Sequence, residues 1–453
     1  MSNPKTTVAQ AKASSPRPLA DEYGNFHYPA DELARGGQGV VFRTGDADLA
    51  IKQPLNTSGN PDQNANLRDR FRNIRLLPLP PRIPISLPLA ILRDEPGYVM
   101  RLLSGMQPFS VFDGYGRTAG QPGPQTFPQW LAKIPDRDTA LQLLHYAHTG
   151  STRRRLFALS RCAAILARIH SAGLVYGDIS HHNIFVGDPS SREVWLIDAD
   201  NLRFERSEGG SAVYTPAYGA PEIVQGRDCS RPRTDCWAFA VMAFRTLSLC
   251  HPFIGKRVLE PNSDEGGWDA EPAANGAPAD LDEQAYAGYL PFVDDEDDDS
   301  NAAVSACLSR ELVATPGLCR LFQETFVAGR AQPHRRPAMA FWALELARAC
   351  DQSIPCPNCQ MSYFADNHEA CPYCGTSRPA FAWAKTDRWK VLIPAAAREF
   401  ALPHRMFHPF SFERHDDASY EAVMDFARKT AWPVRGTARF PDRLTFHFEE
   451  AAQ

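Results

Sequence analysis

An α+β chain, with a small β-rich part followed by a larger helical one, follows from three features of the 453-residue sequence. Short β segments broken by one helical stretch run from about residue 28 to 105. Apolar residues at helical spacing dominate from there to about residue 350, and two Cys-x-x-Cys knuckles follow. In the first part, Leu49–Lys52 and Gly97–Leu103 cluster or alternate apolar residues as strands do. Between them, Asn64–Leu77 places Leu67, Phe71, Ile74 and Leu77 at a helical period. In the second part, Thr152–Ala172 carries Leu156, Leu159, Ala163, Ile165, Leu166 and Ile169 on one side, and Gly173 is placed to end it. Trp237–Leu249 and Met339–Ala349 are further candidates for buried helices. Two inserts interrupt this plan: the Gly/Pro/Gln-rich Asp113–Asp136, and residues 256–300, whose acidic run Asp294–Asp299 reads as a solvated loop.

Composition narrows the function classes. A net charge of −5 gives no reason to expect nucleic acid or an anionic membrane surface as partner. The longest uncharged apolar runs, such as Trp237–Phe244, fall far short of the ~20 residues that span a bilayer. The N-terminus is a polar Ser/Ala/Pro/Thr stretch without an apolar signal core, expected to be disordered over residues 1–24, and a cytoplasmic location is expected. Of eleven cysteines, seven are scattered, often inside apolar helical patterns, and read as small buried hydrophobes.

Two clusters carry phosphate chemistry. The first is Leu33-Ala-Arg-Gly36-Gly37-Gln-Gly39-Val-Val41-Phe42, with Ala50-Ile51-Lys52 ending eleven residues after Val41. Glycines in a turn between two strands let backbone N–H groups approach phosphate oxygens with no Cβ in the way. A lysine on the next strand supplies a point charge for the α- and β-phosphates. The second is Tyr176-Gly177-Asp178-Ile179-Ser180-His181-His182-Asn183, followed by Ile197-Asp198-Ala199-Asp200. It delivers two carboxylates and an amide from loops flanking short apolar strands. In-line phosphoryl transfer needs this set: one carboxylate orients the incoming hydroxyl, while an amide oxygen and a second carboxylate hold Mg²⁺.

The second cluster resembles the His-Arg-Asp-x-x-x-x-Asn catalytic loop and the Asp-Phe-Gly motif of protein kinases. Downstream, Ala220-Pro221-Glu222 is similar to the motif that closes a kinase activation segment, and Asp235-x-Trp237 to the start of the helix that anchors it. Arg336 matches the arginine that pairs with the glutamate of that motif. The resemblance covers roughly residues 25–350 and implies a bilobal protein-kinase-like fold, with ATP and Mg²⁺ as cofactors and a protein hydroxyl as acceptor. Position by position it makes Asp178 the catalytic base, Asn183 and Asp198 the Mg²⁺ ligands, and Lys52 the phosphate lysine. Gly36, Gly37, Gly39 and Val41 would line the nucleotide. It also implies structural roles for Asp235 and for a Glu222–Arg336 ion pair. His181 and His182 read as loop fillers.

The sequence departs from that pattern in places. Ala34 replaces the first glycine of the phosphate loop, and Tyr176-Gly177 replaces the His-Arg before the catalytic acid. The loss of that arginine removes the usual partner of an activation-loop phosphate. Ser180 stands where many Ser/Thr kinases place a lysine, and Asp198-Ala-Asp200 lacks the usual Phe and Gly. No glutamate in Asn64–Leu77 is available to pair with Lys52; Asp69 is the only acid inside that stretch, with Asp62 just before it. A nucleotide-binding scaffold without catalysis and a small-molecule kinase therefore stand beside the protein kinase reading.

Cys356-Pro-Asn-Cys359 and Cys371-Pro-Tyr-Cys374 are separated by eleven residues. Four thiolates so arranged close a tetrahedral shell around one structural Zn²⁺, with His368 as a spare ligand. Nearby apolar residues look too few for a core, so the ion is expected to supply the folding energy of a ribbon over 354–378. Residues 379–453 read as a small α+β module with a helical stretch at Ala418–Arg428, suited to protein contact. A kinase domain over 25–350, a zinc ribbon and such a module together resemble bacterial kinases found alongside a von Willebrand A-domain protein and a PP2C-type phosphatase in tellurium-resistance-type systems. That resemblance implies those two proteins as partners.

Overall fold

A computed structural model describes residues 17–36, 39–64, 66–114, 126–189, 193–205, 214–260, 280–304, 307–385, 389–394, 399–403, 411–414, 432–434 and 443–447. Two compact units are present. The first takes in residues up to Pro78, Ile85–Gly105 and the short segment Asp198–Asp200; the second takes in the rest.

The first unit is built on a five-stranded antiparallel sheet: β1 (Pro29–Gly36), β2 (Gly39–Thr44), β3 (Leu49–Pro54), β4 (Pro88–Ile91) and β5 (Tyr98–Arg101), in the spatial order β1-β2-β3-β5-β4. The strands expected around Lys52 and Tyr98 are both there, and the disorder expected over residues 1–24 does not extend to Leu19–Ala20, which pairs with Phe26–His27. Ile51, Ala90, Leu92 and Val99 form a small core on the sheet. Helix α1 (Asn66–Arg75) buries Leu67, Phe71 and Ile74, the residues whose spacing predicts it. Phe71 meets the Tyr98 ring edge-on at 4.8 Å, which ties helix to sheet.

The second unit is mainly helical. Helix α2 (Arg137–His148) starts at Asp136, whose carboxylate accepts the Thr139 N–H at 2.9 Å. Helix α3 (Ser151–Ser171) buries its whole apolar stripe. Helix α4 (Pro221–Val224) is a single turn. Helix α5 (Pro232–Ser248) begins five residues earlier than its apolar run suggests. Pro232 suits a first helical position, and the Thr234 side chain closes back on the Arg231 N–H at 3.0 Å. Helix α6 (Pro316–Gln323) and α7 (Met339–Gln352) complete the core. Phe244 of α5 meets Phe322 of α6 at 5.2 Å, and Phe239 meets Trp342 of α7 at 5.7 Å. The acidic run 294–299 is partly tied down, because Arg310 pairs with Asp294 at 2.7 Å.

After α7 the chain forms the antiparallel pair Ser353–Pro355 with Ser362–Phe364, then two three-stranded antiparallel sheets. The first joins Phe381–Lys385 to Lys390–Pro394 and Ser411–Arg414; the second joins Arg443–His447 to Glu399–Pro403 and Trp432–Val434. The helix expected at Ala418–Arg428 lies outside the described residues, as do residues 115–125 of the Asp113–Asp136 insert and part of 256–300. Among the described residues no helix is long and apolar enough to cross a membrane.

Candidate active site and cysteine cluster

In the first unit, antiparallel register sets Val41 opposite Lys52 and Lys52 opposite Tyr98. Gly36 and Gly39 face each other at the end of the β1–β2 hairpin; Gly37 lies outside the described residues. A Cβ on Gly39 would come within 2.9 Å of the Gln53 carbonyl and 3.2 Å of the Lys52 Cε, so this position admits only glycine without displacing the lysine. A Cβ on Gly36 would meet nothing within 4 Å, so no close approach requires glycine there.

Lys52 is 5% exposed. Its ammonium donates to Asp198 Oδ1 at 2.5 Å and to Asp200 Oδ2 at 2.7 Å. Burial alone would lower the lysine pKa, but the adjacent charges of Asp200 and Asp198 outweigh it and hold the group above its ordinary value. The lysine is therefore cationic at neutral pH. Asp198 adopts φ 56°, a left-handed conformation that Asp reaches more readily than most residues. The second oxygen of Asp200 accepts from the Tyr98 hydroxyl at 2.8 Å. Burial, followed by the charges of Asp200 and Asp198, keeps that phenol protonated.

The expectation that Asp69 or Asp62 pairs with Lys52 is corrected here. Asp69 points to solvent and meets Arg72 at 3.2 Å, one turn along its own helix. The carboxylate of Asp62 accepts the Asn64 N–H at 3.0 Å. The partner is Asp200, 148 positions away in the chain. Sequence spacing on a helix finds i,i+4 neighbours and not a contact of this range.

In the second unit, Asp178 sits in the loop after the short strand Leu174–Val175. One carboxylate oxygen accepts the Thr215 hydroxyl at 2.7 Å, and the other accepts the Asn183 amide at 2.9 Å. The same amide nitrogen also donates to the Asp178 carbonyl at 2.9 Å, which leaves the Asn183 amide oxygen as the atom able to face a cation. Thr215 is a contact that the sequence analysis missed, because it lies 37 positions from Asp178.

The loop is held from below by Asp235 at the start of α5. Its carboxylate accepts the backbone N–H of Tyr176 at 2.8 Å and of Gly177 at 2.9 Å, and pairs with His170 at 2.9 Å. Gly177 has φ 86°, which explains glycine in place of arginine before Asp178. Tyr176 is fully buried, and its hydroxyl donates to the carbonyls of Ile197 and Asn183. His181 is also buried, hydrogen-bonded to Tyr218 at 2.5 Å and Thr246 at 2.8 Å, a packing role in keeping with a loop filler. Glu222 and Arg336 form a buried two-pronged pair at 2.7 and 2.8 Å. Ser180 is buried as well, so this position presents no cation.

The four knuckle cysteines form one cluster. All four sulfurs lie within 4.8 Å of one another, with Cys356–Cys374 at 3.5 Å and Cys359–Cys371 at 3.6 Å, and none is in a disulfide. Zn–S bonds of about 2.3 Å in a tetrahedron put sulfurs about 3.8 Å apart, so the donor set fits Zn²⁺. Each knuckle closes with a left-handed residue, Gln360 at φ 63° and Gly375 at φ 74°. His368 is not part of the cluster. The expectation of too few apolar neighbours does not hold. Ile354, Met361, Tyr363 and Phe364 are buried, and the Ser362 N–H donates to Ser151 Oγ at 2.8 Å at the start of α3. Arg153 extends the same seam, donating to the Cys350 and Ser353 carbonyls at 2.8 and 2.5 Å.

Comparison with known proteins bears on the same residues. Residues 137–266 match the protein kinase domain family, a stretch that holds Asp178, Asn183, Asp198, Glu222 and Asp235 but not Lys52. The chain is similar to serine/threonine-protein kinase SBK2 of Rattus norvegicus, 36% identical over 105 residues, which is 21% of this chain and 29% of the rat protein. It is similar to the DNA damage-responsive serine/threonine-protein kinase RqkA of Deinococcus radiodurans, 28% identical over 109 residues, or 23% of this chain and 16% of that one. NUAK family SNF1-like kinase 1 of Mus musculus is 26% identical over 132 residues, 26% of this chain and 20% of the mouse protein. The chain thus spans less than a third of each of these relatives. Residues 137–266, a stretch that includes Asp178, Asn183 and Asp198, are thus similar to a protein kinase domain.

Proposed function

We propose that this chain transfers the γ-phosphate of Mg²⁺-ATP to a serine or threonine hydroxyl, or a tyrosine, of a partner protein. The observation that carries the reading is the buried contact of Lys52 with Asp198, groups 146 positions apart that on this reading would handle phosphate and metal together. Lys52 would bind the α- and β-phosphates, with Gly36, Gly37, Gly39 and Val41 along the nucleotide. Asn183 and Asp198 would each lend an oxygen to Mg²⁺, whose preference for hard oxygen donors suits an amide and a carboxylate. Asp178 would take the acceptor's proton. The Thr215 and Asn183 hydrogen bonds fix both of its oxygens and so orient the carboxylate before substrate arrives. The serine/threonine preference is supported by the similar proteins, which are serine/threonine-protein kinases by name.

Cys356, Cys359, Cys371 and Cys374 would hold one Zn²⁺ in a closed, structural shell. The order of kinase domain, cysteine cluster and C-terminal module supports a von Willebrand A-domain protein and a PP2C-type phosphatase as partners. A noncatalytic nucleotide-binding scaffold is a second reading, favoured by the buried Ser180 in place of a lysine.

Transfer from γ-labelled ATP, measured for the wild type and Asp178→Ala, separates the two. Loss of at least ~100-fold in the variant with nucleotide binding retained is expected of general-base catalysis. Equal transfer by the variant contradicts the assignment, and nucleotide binding without transfer in the wild type, with the candidate partners present, favours the scaffold.

A further inference from the structure

We propose that Asp200 is the positioning residue of Lys52, and that helix α1 supports the lysine through the 198–200 segment. Both carboxylate oxygens of Asp200 are committed: Oδ2 to the Lys52 ammonium at 2.7 Å and Oδ1 to the Tyr98 hydroxyl at 2.8 Å. Tyr98 is 1% exposed and stands directly opposite Lys52 in the sheet register, so lysine, aspartate and phenol form one closed unit on β3 and β5. Helix α1 contains no glutamate and turns its one acid, Asp69, away to solvent. What α1 offers is a cation. Arg70 donates to the Asp200 carbonyl through Nε at 3.1 Å and Nη2 at 2.6 Å. The helix therefore grips the backbone of the residue that holds the lysine.

The two acids differ in what they can give up. The Asp198 side chain is 20% exposed and that of Asp200 is 9% exposed. An ammonium has three donors, so it can hold both acids at once. Were Asp198 to hold Mg²⁺, Asp200 would keep Lys52 in place for the phosphates. The second acid of Asp198-Ala199-Asp200 is accordingly spent on the lysine and not on metal.

This inference rests on the nucleotide-binding reading above, and binding measured apart from transfer keeps the two distinguishable. The probe is a fluorescent ATP analogue titrated against the full chain with and without Mg²⁺, for the wild type, Asp200→Asn, Lys52→Met and the double variant. Asp200→Asn keeps an acceptor for Tyr98 and removes the charge facing Lys52. Its Kd is expected to rise at least ~10-fold in the wild-type background and less than ~2-fold beside Lys52→Met, because the residue acts through the lysine. The Mg²⁺ concentration for half-maximal binding is expected to stay the same. Losses that multiply in the double variant, a shifted Mg²⁺ midpoint, or an unchanged Kd would each overturn the proposal. Should Asp200→Asn fold poorly, Tyr98→Phe carries the test, with a ~3-fold rise in Kd that likewise vanishes beside Lys52→Met. A wild type that binds nucleotide but transfers no phosphate overturns the catalytic reading alone; a wild type that binds none overturns both.

Discussion

Replacing Glu222 by Gln leaves the Arg336 guanidinium charged, buried and without its counter-ion. The side chain of Arg336 is 0% exposed and that of Glu222 is 6% exposed, so neither charge is repaid by water. The two bonds between them are 2.7 and 2.8 Å long. Arg336 keeps the carbonyls of Gly329 at 2.8 Å and Arg233 at 3.1 Å, and its guanidinium lies 4.8 Å from the Trp237 ring centre. Those contacts soften the loss but supply no charge. Removing one partner of a buried pair costs about 3–5 kcal/mol. For a large domain each kcal/mol lowers Tm by roughly 2–4 °C, so Glu222→Gln should melt about 6–20 °C below the wild type. The assay is thermal unfolding of the full chain at pH 7, followed by circular dichroism and repeated for Glu222→Gln/Arg336→Met. The double variant leaves no buried charge at this pair and should be less destabilised than the two single losses summed. A Glu222→Gln shift under ~2 °C, below what ~1 kcal/mol produces, would refute the account of this pair.

Three further outcomes follow from other contacts. Asp235→Asn leaves one amide oxygen for two backbone N–H groups, and transfer should fall by at least ~10-fold with little change in ATP affinity, read as a kcat loss at constant KM. Stripping metal with a strong chelator should release close to one Zn²⁺ per chain and expose the seam between the cysteine cluster and α3. The measurement is hydrogen exchange at Ser151–Arg155, expected to speed up; unchanged protection there would count against a structural ion. Asp21 accepts from His27, Asn25 and Tyr23, and although burial opposes it these bonds bring its carboxyl down to about 2. A depressed pKa stabilises the fold above the unfolded value near 3.8, and the benefit fades as pH falls towards 2. Asp21→Asn should therefore lower Tm at pH 6 and converge on the wild type near pH 2.

Much of the site is legible in the sequence because it is local. Asp178 and Asn183 lie five residues apart in one loop, the cysteine knuckles are four-residue turns, and the stripe of α3 repeats at a helical period. These features are set by spacing, which a sequence states outright. The contacts that escaped are set by folding across long separations. Lys52 finds Asp200 only because the 198–200 segment packs with the β-rich unit, and Thr215 finds Asp178 across 37 positions. The same reasoning explains the misjudged cysteine ribbon. Ile354, Met361, Tyr363 and Phe364 are too few for a core of their own, but they are enough when docked on α3. Helix α5 began early for a local reason that was overlooked, the proline at its first position. Most departures from the kinase pattern also have local physical causes. Gly177 answers to a left-handed backbone, and Tyr176 reaches two carbonyls with its hydroxyl.

Intact-protein mass before and after incubation with Mg²⁺-ATP, for the wild type and Asp198→Ala side by side, tests the central claim most directly. Phosphotransfer built on Lys52, Asp178, Asn183 and Asp198 predicts a gain of about 80 Da, one phosphoryl group, or a multiple of it, in the wild type alone. An equal gain in both proteins would contradict the assignment of Asp198. No gain in either, with the candidate partner proteins present and unmodified, would contradict phosphotransfer itself.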